Sequence, residues 1–333
     1  MANAMRAIVL RTPGGPEVLE LVEQPMPEPG PGQVRVSARA IGAGGPDVLI
    51  RKGTYKWMPP LPATPGNEMA GIVDAVGSGV DTGLLGRRVL VSARELPQRG
   101  GCYAEAICVP AAALFHLPDT VAFDDAVSLG NFQLALALLA ANGHATVRSI
   151  LVPGAAGGVA TALVQVARDR GIEVIGTAST EAKRALALAN GVNILVDGNP
   201  ETLAAQVMAA TAQRGVDLAF DHLGGAMFTA CLHALAPSGM LVSYNIVNGP
   251  PTGDVFAMLR ALLGRSLAVR TFSIHAIDAD PVQRRGLMED AIALMAAGRV
   301  RAPAATRFPL AEARQVHQML DSGGTLGKLV LYP

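Results

Sequence analysis

The sequence predicts an α/β protein in which a doubly wound parallel sheet is inserted into a β-rich domain. Two observations favour the sheet. A glycine-rich turn at residues 154–157 joins an apolar run to a helical pattern, and short β-rich runs then alternate with helical patterns as far as residue 271. A third observation, a series of strand and turn patterns before residue 123, favours the β-rich domain. We therefore assign residues 123–271 to the sheet domain and residues 1–122 and 272–333 to the other domain.

The glycine-rich turn organises the rest of the chain. Gly154 and Gly157 allow the backbone to turn sharply and to approach a phosphate closely, where a Cβ would intrude. The helix behind the turn offers unpaired N–H groups and a positive dipole end to an anion. The spacing is G-x-x-G-x-x-A, with Ala160 where a third glycine would stand. The pattern indicates a pyrophosphate site, although ordinary strand–helix turns also use glycine.

The predicted sheet domain is complete around this turn. Its strands are predicted at residues 150–152, 173–179, 194–196, 216–220, 240–244 and 267–271, and the helices after the second strand at 181–189, 201–213 and 226–235. Strands and helices in this order are typical of a dinucleotide-binding domain of the Rossmann type.

The end of the second strand indicates which dinucleotide binds. An NAD site usually has Asp or Glu there, to accept hydrogen bonds from the ribose 2′-hydroxyl. Here the strand ends in Thr177, Ser179 and Thr180, and Lys183 and Arg184 follow one turn into the next helix. Hydroxyls and cations suit a 2′-phosphate, so we predict NADPH, with Ser179 and Lys183 at the phosphate. The alternative is that Ser179 or Thr180 only caps the helix and Lys183 is a solvated residue.

The β-rich domain is predicted from strands at residues 6–10, 18–22, 33–41, 71–76, 88–92 and 103–109, which favour a barrel-like fold. One long helix is predicted at 123–141, bridging the two domains. Helices at 281–297 and 310–321 and a last strand at 325–332 return to the first domain. We expect the active site in the cleft between the domains.

Composition limits the function classes. Lys plus Arg and Asp plus Glu are equal at 27 each among 333 residues, so the chain has no global attraction for nucleic acid or anionic membranes. No apolar run approaches the length of a membrane span, and the N-terminus lacks a signal-peptide pattern. Cys102, Cys108 and Cys231 provide no disulfide framework, so a cytoplasmic enzyme is expected.

The whole chain resembles the medium-chain dehydrogenase/reductase superfamily, and most closely its zinc-free quinone oxidoreductase branch, which includes zeta-crystallin. The matching pieces occur in the family's order and include GNEMAGIV at 66–73, AAGGV at 155–159, DHLG at 221–224 and GKLVL at 327–331. Further matches lie at 6–10, 40–55, 76–80 and 101–105. The resemblance implies a GroES-like barrel around a Rossmann domain, and hydride transfer from NADPH to a quinone or an α,β-unsaturated carbonyl.

The zinc branch of the superfamily has ligands that this sequence lacks. Gly44 stands at the position of the first cysteine ligand, Asn67 at the position of the histidine, and Gly130 and Asn131 lie near the third. Zinc needs thiolate, imidazole or carboxylate donors, so no metal is predicted.

The resemblance also implies site residues. Tyr55 would hydrogen-bond a substrate carbonyl or be only a half-buried loop aromatic, Asp47 would orient backbone or Arg51, and Trp57 would line the pocket or the core. The predicted cofactor contacts, from the pyrophosphate to the carboxamide and the adenine end, are Gly154, Ala155, Gly157, Gly158, Val159, Ser179, Lys183, Tyr244, Asn245, Phe272, Ser273 and Lys328. For Lys328 a surface salt bridge is the alternative.

Three departures from the family pattern alter the predicted pocket. Gly44 replaces an Asn, Gln133 replaces a Thr that contacts the cofactor, and Asp197 stands where a Tyr packs near the adenosine phosphate. The acid at 197 argues against NADPH. The alternatives therefore stay open: a zinc alcohol dehydrogenase, an enoyl-thioester reductase, or a non-catalytic NADPH-binding protein. The resemblance further implies a homodimer formed through the edge strand at 267–271.

Overall fold

A computed structural model describes residues 4–141, 146–323 and 325–333. The strands are β1 (Ala4–Leu10), β2 (Leu19–Pro25), β3 (Gln33–Ala43), β4 (Glu68–Val76), β5 (Arg88–Ser92), β6 (Ala106–Pro110), β7 (Phe115–His116), β8 (Ser149–Val152), β9 (Glu173–Thr177), β10 (Ile194–Val196), β11 (Val216–Asp221), β12 (Leu235–Ser243), β13 (Ala268–Thr271), β14 (Ala305–Pro309) and β15 (Lys328–Tyr332). The α-helices are α1 (Gly45–Arg51), α2 (Phe123–Ala126), α3 (Leu129–Ala140), α4 (Gly158–Asp169), α5 (Glu181–Asn190), α6 (Pro200–Ala210), α7 (Gly225–His233), α8 (Val255–Ala261), α9 (Pro281–Ala296) and α10 (Ala313–Ser322).

The chain divides into two compact units. Unit 1 comprises Met1–Gly130 and Ile292–Pro333, and unit 2 comprises Asn131–Ala291. The breaks fall inside α3 and α9, whereas the sequence analysis placed them earlier, after residues 122 and 271. The early part of α9 lies in unit 2, where the Gln133 side chain donates to the carbonyl of Arg284.

Unit 1 is built on a sheet in the order β14-β15-β3-β4-β5-β7, with β6 also paired to β3 and a separate β1-β2 hairpin. The long strand β3 pairs with β4 along one edge, and with β6 and then β15 along the other, so the sheet curves into a barrel-like fold. Buried and half-buried residues alternate along the first part of β3, as expected for a strand with one face on the core. Val36, Met69, Val89 and Tyr103 are among the fully buried residues of that core.

Unit 2 contains a wholly parallel sheet in the order β10-β9-β8-β11-β12-β13. The central strand β8 is buried at every position, because a parallel sheet is covered by helices on both faces. The strand order runs outward in both directions from the β8–β11 pair. The carboxyl ends of these two strands therefore form the topological switch point, where open α/β sheets bind their ligands.

Most predicted elements are present, and four need correction. The predicted helix at 123–141 is two helices, because Val127 leaves the helical conformation and its carbonyl lies against Gly42 of β3. The strand predicted at 103–109 begins at Ala106, since the Tyr103 backbone bonds to Pro65 and Ile8 instead. The helix predicted at 310–321 begins with a 3₁₀ turn, Leu310–Glu312, and the last strand starts at Lys328.

Within the described ranges, no helix combines the length and the apolar character that a bilayer-spanning segment needs.

Candidate functional site

The glycine-rich turn follows the carboxyl end of β8 and leads into α4. Gly154 has a φ of +62°, and a Cβ added there would lie 2.9 Å from Cε1 of His222. The amide of Gly154 donates to the Thr177 hydroxyl at 3.0 Å, and the amide of Ala155 donates to the Thr177 carbonyl at 2.8 Å. Two bonds to the end of β9 therefore hold the turn open, and glycine is required by both conformation and space.

The start of α4 presents the donors that an anion needs. Gly157 is the N-cap residue and has no side chain to satisfy the helix, and the first backbone bond of the helix runs from the Thr161 amide to the Gly157 carbonyl at 2.7 Å. The amides of Gly158 and Val159 precede that bond and point out of the helix end. Unlike these two amides, the Ala155 amide is already hydrogen-bonded to the Thr177 carbonyl.

Thr177 is a residue whose role the sequence analysis missed. It was interpreted as one of the hydroxyls for a 2′-phosphate, but its side chain is buried and accepts from Gly154. Its function in the structure is to fix the turn.

At the end of β9, the structure confirms one part of the alternative interpretation, namely that Ser179 or Thr180 caps the next helix. The Thr180 hydroxyl caps α5 and accepts from the Lys183 amide at 3.2 Å. Ser179 is exposed and the Lys183 side chain is half-buried, both beside the strand end. A helix cap does not exclude a phosphate site here, and the predicted roles of Ser179 and Lys183 stay predictions. Asp197 is exposed, and its carboxylate accepts from the Asn199 amide at 3.3 Å.

The segments after β12 and β13 hold the remaining predicted cofactor residues of unit 2. The Tyr244 amide donates to the Asp221 carbonyl at 3.0 Å, and the Asn245 side chain accepts from the next amide at 2.9 Å. The Phe272 amide donates to the Ser243 carbonyl at 2.8 Å, and the Ser273 hydroxyl accepts from the His275 amide at 3.3 Å. The Ser273 carbonyl accepts from the Ala276 amide at 3.0 Å, and the predicted backbone contacts of Phe272 and Ser273 with a carboxamide stay predictions.

The DHLG segment places His222 at the switch point. Asp221 is buried and accepts from the amides of Leu223 and Gly224 at 2.9 and 3.1 Å, which closes a turn directly after β11. Burial raises the pKa of Asp221. His222 then packs its ring against Gly154 and Tyr244, with ring centroids of His222 and Tyr244 5.7 Å apart. The sequence analysis quoted this segment only as a family match.

Gln133, which stands where the family has a Thr that contacts the cofactor, bonds within unit 2. Its side chain is buried, its Nε2 donates to the Arg284 carbonyl at 2.8 Å, and its Oε1 is buried without a hydrogen-bond partner in the described part of the chain. The neighbouring Asn131 instead reaches the start of α4, since a Cβ added to Gly158 would lie 3.0 Å from its Nδ2.

In unit 1 the predicted residue Asp47 lies in the first turn of α1 and is fully buried. One carboxylate oxygen accepts from the Gly44 amide at 2.9 Å, and the other accepts from Nδ2 of Asn67 at 2.6 Å. Burial raises the pKa of Asp47 to about 6, partly offset by these bonds. Asp47 was expected to orient backbone or Arg51, and the structure shows the backbone contact. Arg51 binds Asp321 at 2.7 Å, because α10 packs beside α1 and supplies that carboxylate.

A chain of buried polar groups continues from Asp47. The buried Tyr103 hydroxyl lies near the Asp47 carboxylate and 3.1 Å from Nε2 of His317, whose Nδ1 is 3.4 Å from the Arg51 guanidinium. Because Arg51 can only donate, Nδ1 accepts and Nε2 carries the proton. Burial and the Arg51 charge lower the pKa of His317 to about 4.

Lys328 lies in unit 1 at the start of β15. Its ammonium is 3.2 Å from the Glu68 carboxylate, and both side chains are largely buried, which differs from the solvated salt bridge considered above. Gly42 makes room for this pair, since a Cβ there would lie 2.9 Å from Glu68. The predicted contact of Lys328 with the adenine end stays a prediction.

The loop after α1 carries the predicted aromatic residues. The Tyr55 side chain is half-buried and its ring centroid lies 5.6 Å from that of Trp57, which is 36% exposed. The Tyr55 amide donates to the Leu49 carbonyl at 3.2 Å, which ties the loop to the helix. The two rings are tilted by 60°, and neither residue belongs to the buried core.

The arrangement of His, Cys, Asp and Glu side chains bears on metal binding. In the part of the chain that the structure describes, no three His, Cys, Asp or Glu side chains are grouped to hold a metal ion. Cys102 and Cys231 are buried, Cys108 is half-buried, and burial raises the pKa of all three thiols.

The site fits a dinucleotide. A backbone cradle that a Cβ would fill, a helix N-terminus and the His222 ring, whose Nδ1 has no hydrogen-bond partner among the described residues, meet at the switch point of the parallel sheet. The fold and this turn define a protein of the Rossmann dinucleotide-binding class.

Comparisons with known proteins agree with this class. The family model of the alcohol dehydrogenase GroES-like domain matches residues 30–119, and that of the zinc-binding dehydrogenases matches residues 158–288. A quinone oxidoreductase of Pseudomonas aeruginosa is 34% identical over 322 residues, which cover 96% of this chain and 97% of the relative. The chain therefore belongs to the medium-chain dehydrogenase/reductase superfamily, in its quinone oxidoreductase branch, and the predicted resemblance and fold class are confirmed.

Solved structures carry the same fold. Escherichia coli quinone oxidoreductase complexed with NADPH aligns with a TM-score of 0.85 at 29% identity, over 98% of this chain and 100% of that one. A structure described as an NAD-dependent alcohol dehydrogenase aligns with a TM-score of 0.85 at 30% identity, over 99% and 100% of the two chains. The fold alone thus does not select the cofactor.

Proposed function

We propose that this oxidoreductase depends on NADPH, needs no zinc, and transfers a hydride to a quinone or an α,β-unsaturated carbonyl compound. The observation that carries the proposal is the glycine-rich turn at the start of α4, beside a strand end that has Ser179 and Lys183 but no carboxylate. The NADPH complex of the Escherichia coli relative supports the same cofactor.

The residues of the turn would hold the dinucleotide. The Gly158 and Val159 amides and the dipole of α4 suit the pyrophosphate, and Lys183 suits the 2′-phosphate. When bound, the nicotinamide supplies the hydride. A conjugated carbonyl accepts a hydride at carbon, and the proton that completes the reduction comes from water or from a side chain.

On the substrate side, the proposal assigns roles to two residues of unit 1. The Tyr55 hydroxyl would donate to the substrate carbonyl, and the Trp57 ring beside it, tilted by 60°, would add apolar surface for a quinone ring. Asp47 would act as a positioning residue, because it holds the Gly44 amide and the Asn67 side chain.

The local chemistry supports zinc independence. Gly44 has no donor side chain, and the Asn67 amide is engaged with Asp47 at 2.6 Å. An amide is a poor ligand for zinc compared with thiolate or imidazole.

The test is a fluorescence titration with NADPH and NADH, using wild-type protein and Lys183→Ala. We expect the variant to bind NADPH about tenfold more weakly, as for loss of a charged hydrogen bond, and to bind NADH unchanged. NADH, which lacks the 2′-phosphate, is thus the internal control. Equal binding of both dinucleotides by both proteins would remove Lys183 from the site, and binding of neither would overturn the proposal.

Turnover then separates the remaining functions. Oxidation of NADPH by a panel of quinones and enones, unchanged by a strong chelator, is the expected result. Loss of activity with the chelator would favour a zinc alcohol dehydrogenase. Turnover restricted to enoyl thioesters would favour an enoyl-thioester reductase. Tight NADPH binding without turnover would favour a non-catalytic binding protein.

We also propose a homodimer formed through β13. This strand pairs only with β12 among the described strands and therefore presents an open edge. Analytical ultracentrifugation of the wild type and of Val269→Pro tests it, since proline within an edge strand disfavours pairing. A monomeric wild type would overturn this proposal.

A further inference from the structure

A histidine and an aspartate are paired in the segment of unit 2 that follows β13. His275 lies on the 3₁₀ turn Ile274–Ile277 and Asp278 directly after it, and Nδ1 of His275 is 2.8 Å from the Asp278 carboxylate. The two side chains are 12% and 25% exposed. Because an ionised carboxylate only accepts, Nδ1 carries the proton of this bond, and Nε2 is the nitrogen that exchanges a proton with other groups.

Further bonds fix the turn on which this pair lies. The Ser273 hydroxyl accepts from the His275 amide at 3.3 Å. The Arg284 guanidinium of α9 donates to the Asp278 carbonyl at 2.7 Å. The turn is therefore held at its start by a side chain of the preceding segment and at its end by α9, and the carboxylate orients the imidazole within it.

The pair lies on the edge of the sheet where the reactive end of a dinucleotide would come. All strands of this sheet are parallel, so the segments after β8, β9 and β13 leave from the same edge. The proposed 2′-phosphate contacts, Ser179 and Lys183, follow β9, and the pyrophosphate turn follows β8. An extended dinucleotide thus continues over β11 and β12, with its nicotinamide half toward β13.

The proposed reaction leaves the source of one proton open. The substrate receives a hydride with its electron pair, and an electron pair of its conjugated system moves to the carbonyl oxygen, which then needs a proton. A histidine oriented by a carboxylate is suited to supply it. A partly exposed ion pair contributes little to stability, so holding the turn together does not by itself call for an imidazole.

We propose that His275 is the general acid of the reaction, with Asp278 as its positioning residue. This inference rests on the proposed function, because it completes that reaction. The Nε2–H bond of the protonated ring breaks and an O–H bond forms on the substrate, while NADPH is oxidised and the substrate is reduced. The ring is left neutral and takes its next proton from water, to which the partly exposed pair has access.

The charged groups near the ring act on its proton in opposite directions. The Asp278 carboxylate at Nδ1 favours the protonated ring. The Arg284 guanidinium, bonded to the backbone of Asp278, favours the neutral ring. Asp280 precedes α9 and Arg285 lies in its first turns. A reaction that uses the protonated ring should therefore slow as pH rises and the ring loses its proton.

The experiment measures kcat with saturating NADPH between pH 6 and 9, with cyclohex-2-enone and 1,4-naphthoquinone as the probes. Wild-type kcat should fall on the alkaline side by about tenfold per pH unit. His275→Gln should lower kcat at pH 7 about 100-fold with little change in KM, and should lose the alkaline fall. Asp278→Asn should keep the fall but move it to lower pH, because the carboxylate that favours the protonated ring is gone.

Rescue and matched controls separate a proton donor from a residue that only supports the turn. Imidazole added to His275→Ala should restore part of kcat, since the missing donor is then supplied from solution, whereas a displaced turn would not respond. His233→Gln and Asp290→Asn replace exposed side chains elsewhere in unit 2 and should behave as the wild type. Absence of rescue, together with a larger KM, would assign His275 to structure and overturn the inference.

A readout that needs no turnover covers the case in which a variant does not fold. The Cε1–H signal of His275, followed against pH in wild-type protein saturated with NADP⁺, reports the titration of the ring itself. Its midpoint should coincide with that of the alkaline fall in kcat. Different midpoints, or a His275→Gln protein with the kcat and pH profile of the wild type, would overturn the inference and leave the proposed function intact. A wild type that oxidises NADPH with no quinone or enone would overturn both.

Discussion

The glycine-rich turn of unit 2 and the polar cluster around Asp47 in unit 1 are built in opposite ways. The turn is a site made of backbone: glycine at 154, the amides of α4 and two bonds to Thr177. The cluster is made of buried side chains, in which Asn67 donates to Asp47, and the Tyr103 hydroxyl near Asp47 is bonded to His317.

The two constructions respond to different perturbations. A backbone site depends on conformation and space, so it is sensitive to a single Cβ and insensitive to pH. A buried side-chain cluster depends on desolvation and on the protonation of its members, so its stability changes with pH.

The largest effect is expected at Gly154. Gly154→Ala places a Cβ 2.9 Å from the His222 ring on a residue with a φ of +62°, so the turn must shift. We expect dinucleotide affinity to fall by about 100-fold, as for a displaced site with roughly 3 kcal/mol of strain. Fluorescence titration with NADPH measures it.

Gly171→Ala is the matched control for Gly154→Ala. Gly171 has a φ of +70° at the other end of α4, but a Cβ there would meet nothing within 4 Å. It carries the same kind of backbone cost without the clash, so binding should be kept. Equal affinity losses in the two variants would mean that conformation alone, and not space at the turn, matters.

The next effect concerns His317 in unit 1. Its folded-state pKa, about 4, lies below its ordinary value of 6.5, so the unfolded chain binds more protons between these limits. The stabilisation is complete above pH 6.5 and is lost as pH falls toward 4, by about 3 kcal/mol at most. Urea unfolding of wild type and His317→Gln across this range should show that the difference between their free energies of unfolding narrows at low pH. Parallel profiles would contradict it.

Asp47 should show the opposite sign in the same unit. Its folded-state pKa, about 6, lies above the ordinary 3.8, so the folded protein holds the proton more tightly. The contribution to stability is complete below pH 3.8 and is lost as pH rises through 6, by about 3 kcal/mol at most. Relative to the wild type, Asp47→Asn should therefore become less destabilised between pH 4 and 7, measured by urea unfolding.

Asp119→Asn is the control for this series, since the Asp119 side chain is 98% exposed. The free energy of unfolding of Asp119→Asn should depend on pH in the same way as that of the wild type. If Asp47→Asn also follows the wild type, the carboxyl of Asp47 is not desolvated enough to matter.

The same contrast explains what the sequence could predict. The turn, the parallel sheet and Gly154 were predictable because glycines, a short apolar run and a helical pattern are adjacent in the chain. The break between α2 and α3 was not, because it depends on a packing contact between Val127 and Gly42. The periodicity of residues 123–141 is helical throughout and carries no sign of that contact.

The cluster of unit 1 was less accessible from sequence. Asp47 was selected through family resemblance, but its partners Asn67 and Tyr103 come from other segments, and His317 lies 270 residues further on. Asn67 was noted only as a missing zinc ligand. No local pattern relates residues brought together by the fold of the barrel. Arg51 was one of two alternatives for what Asp47 orients, and its partner in the structure is Asp321.

The smallest effects are expected at the end of β9, where Ser179 and Thr180 precede α5. Thr180 caps α5 at 3.2 Å from the Lys183 amide, so Thr180→Ala should cost about 1 kcal/mol of stability and leave the NADPH-to-NADH preference nearly unchanged. Ser179→Ala should do the reverse, with no loss of stability and a preference for NADPH reduced roughly threefold to tenfold, since one hydrogen bond to the phosphate is lost. Thermal unfolding and parallel titrations with the two dinucleotides measure both. If Thr180→Ala alters the preference while Ser179→Ala does not, the hydroxyl at the phosphate is Thr180, and the capping bond is given up when the dinucleotide binds.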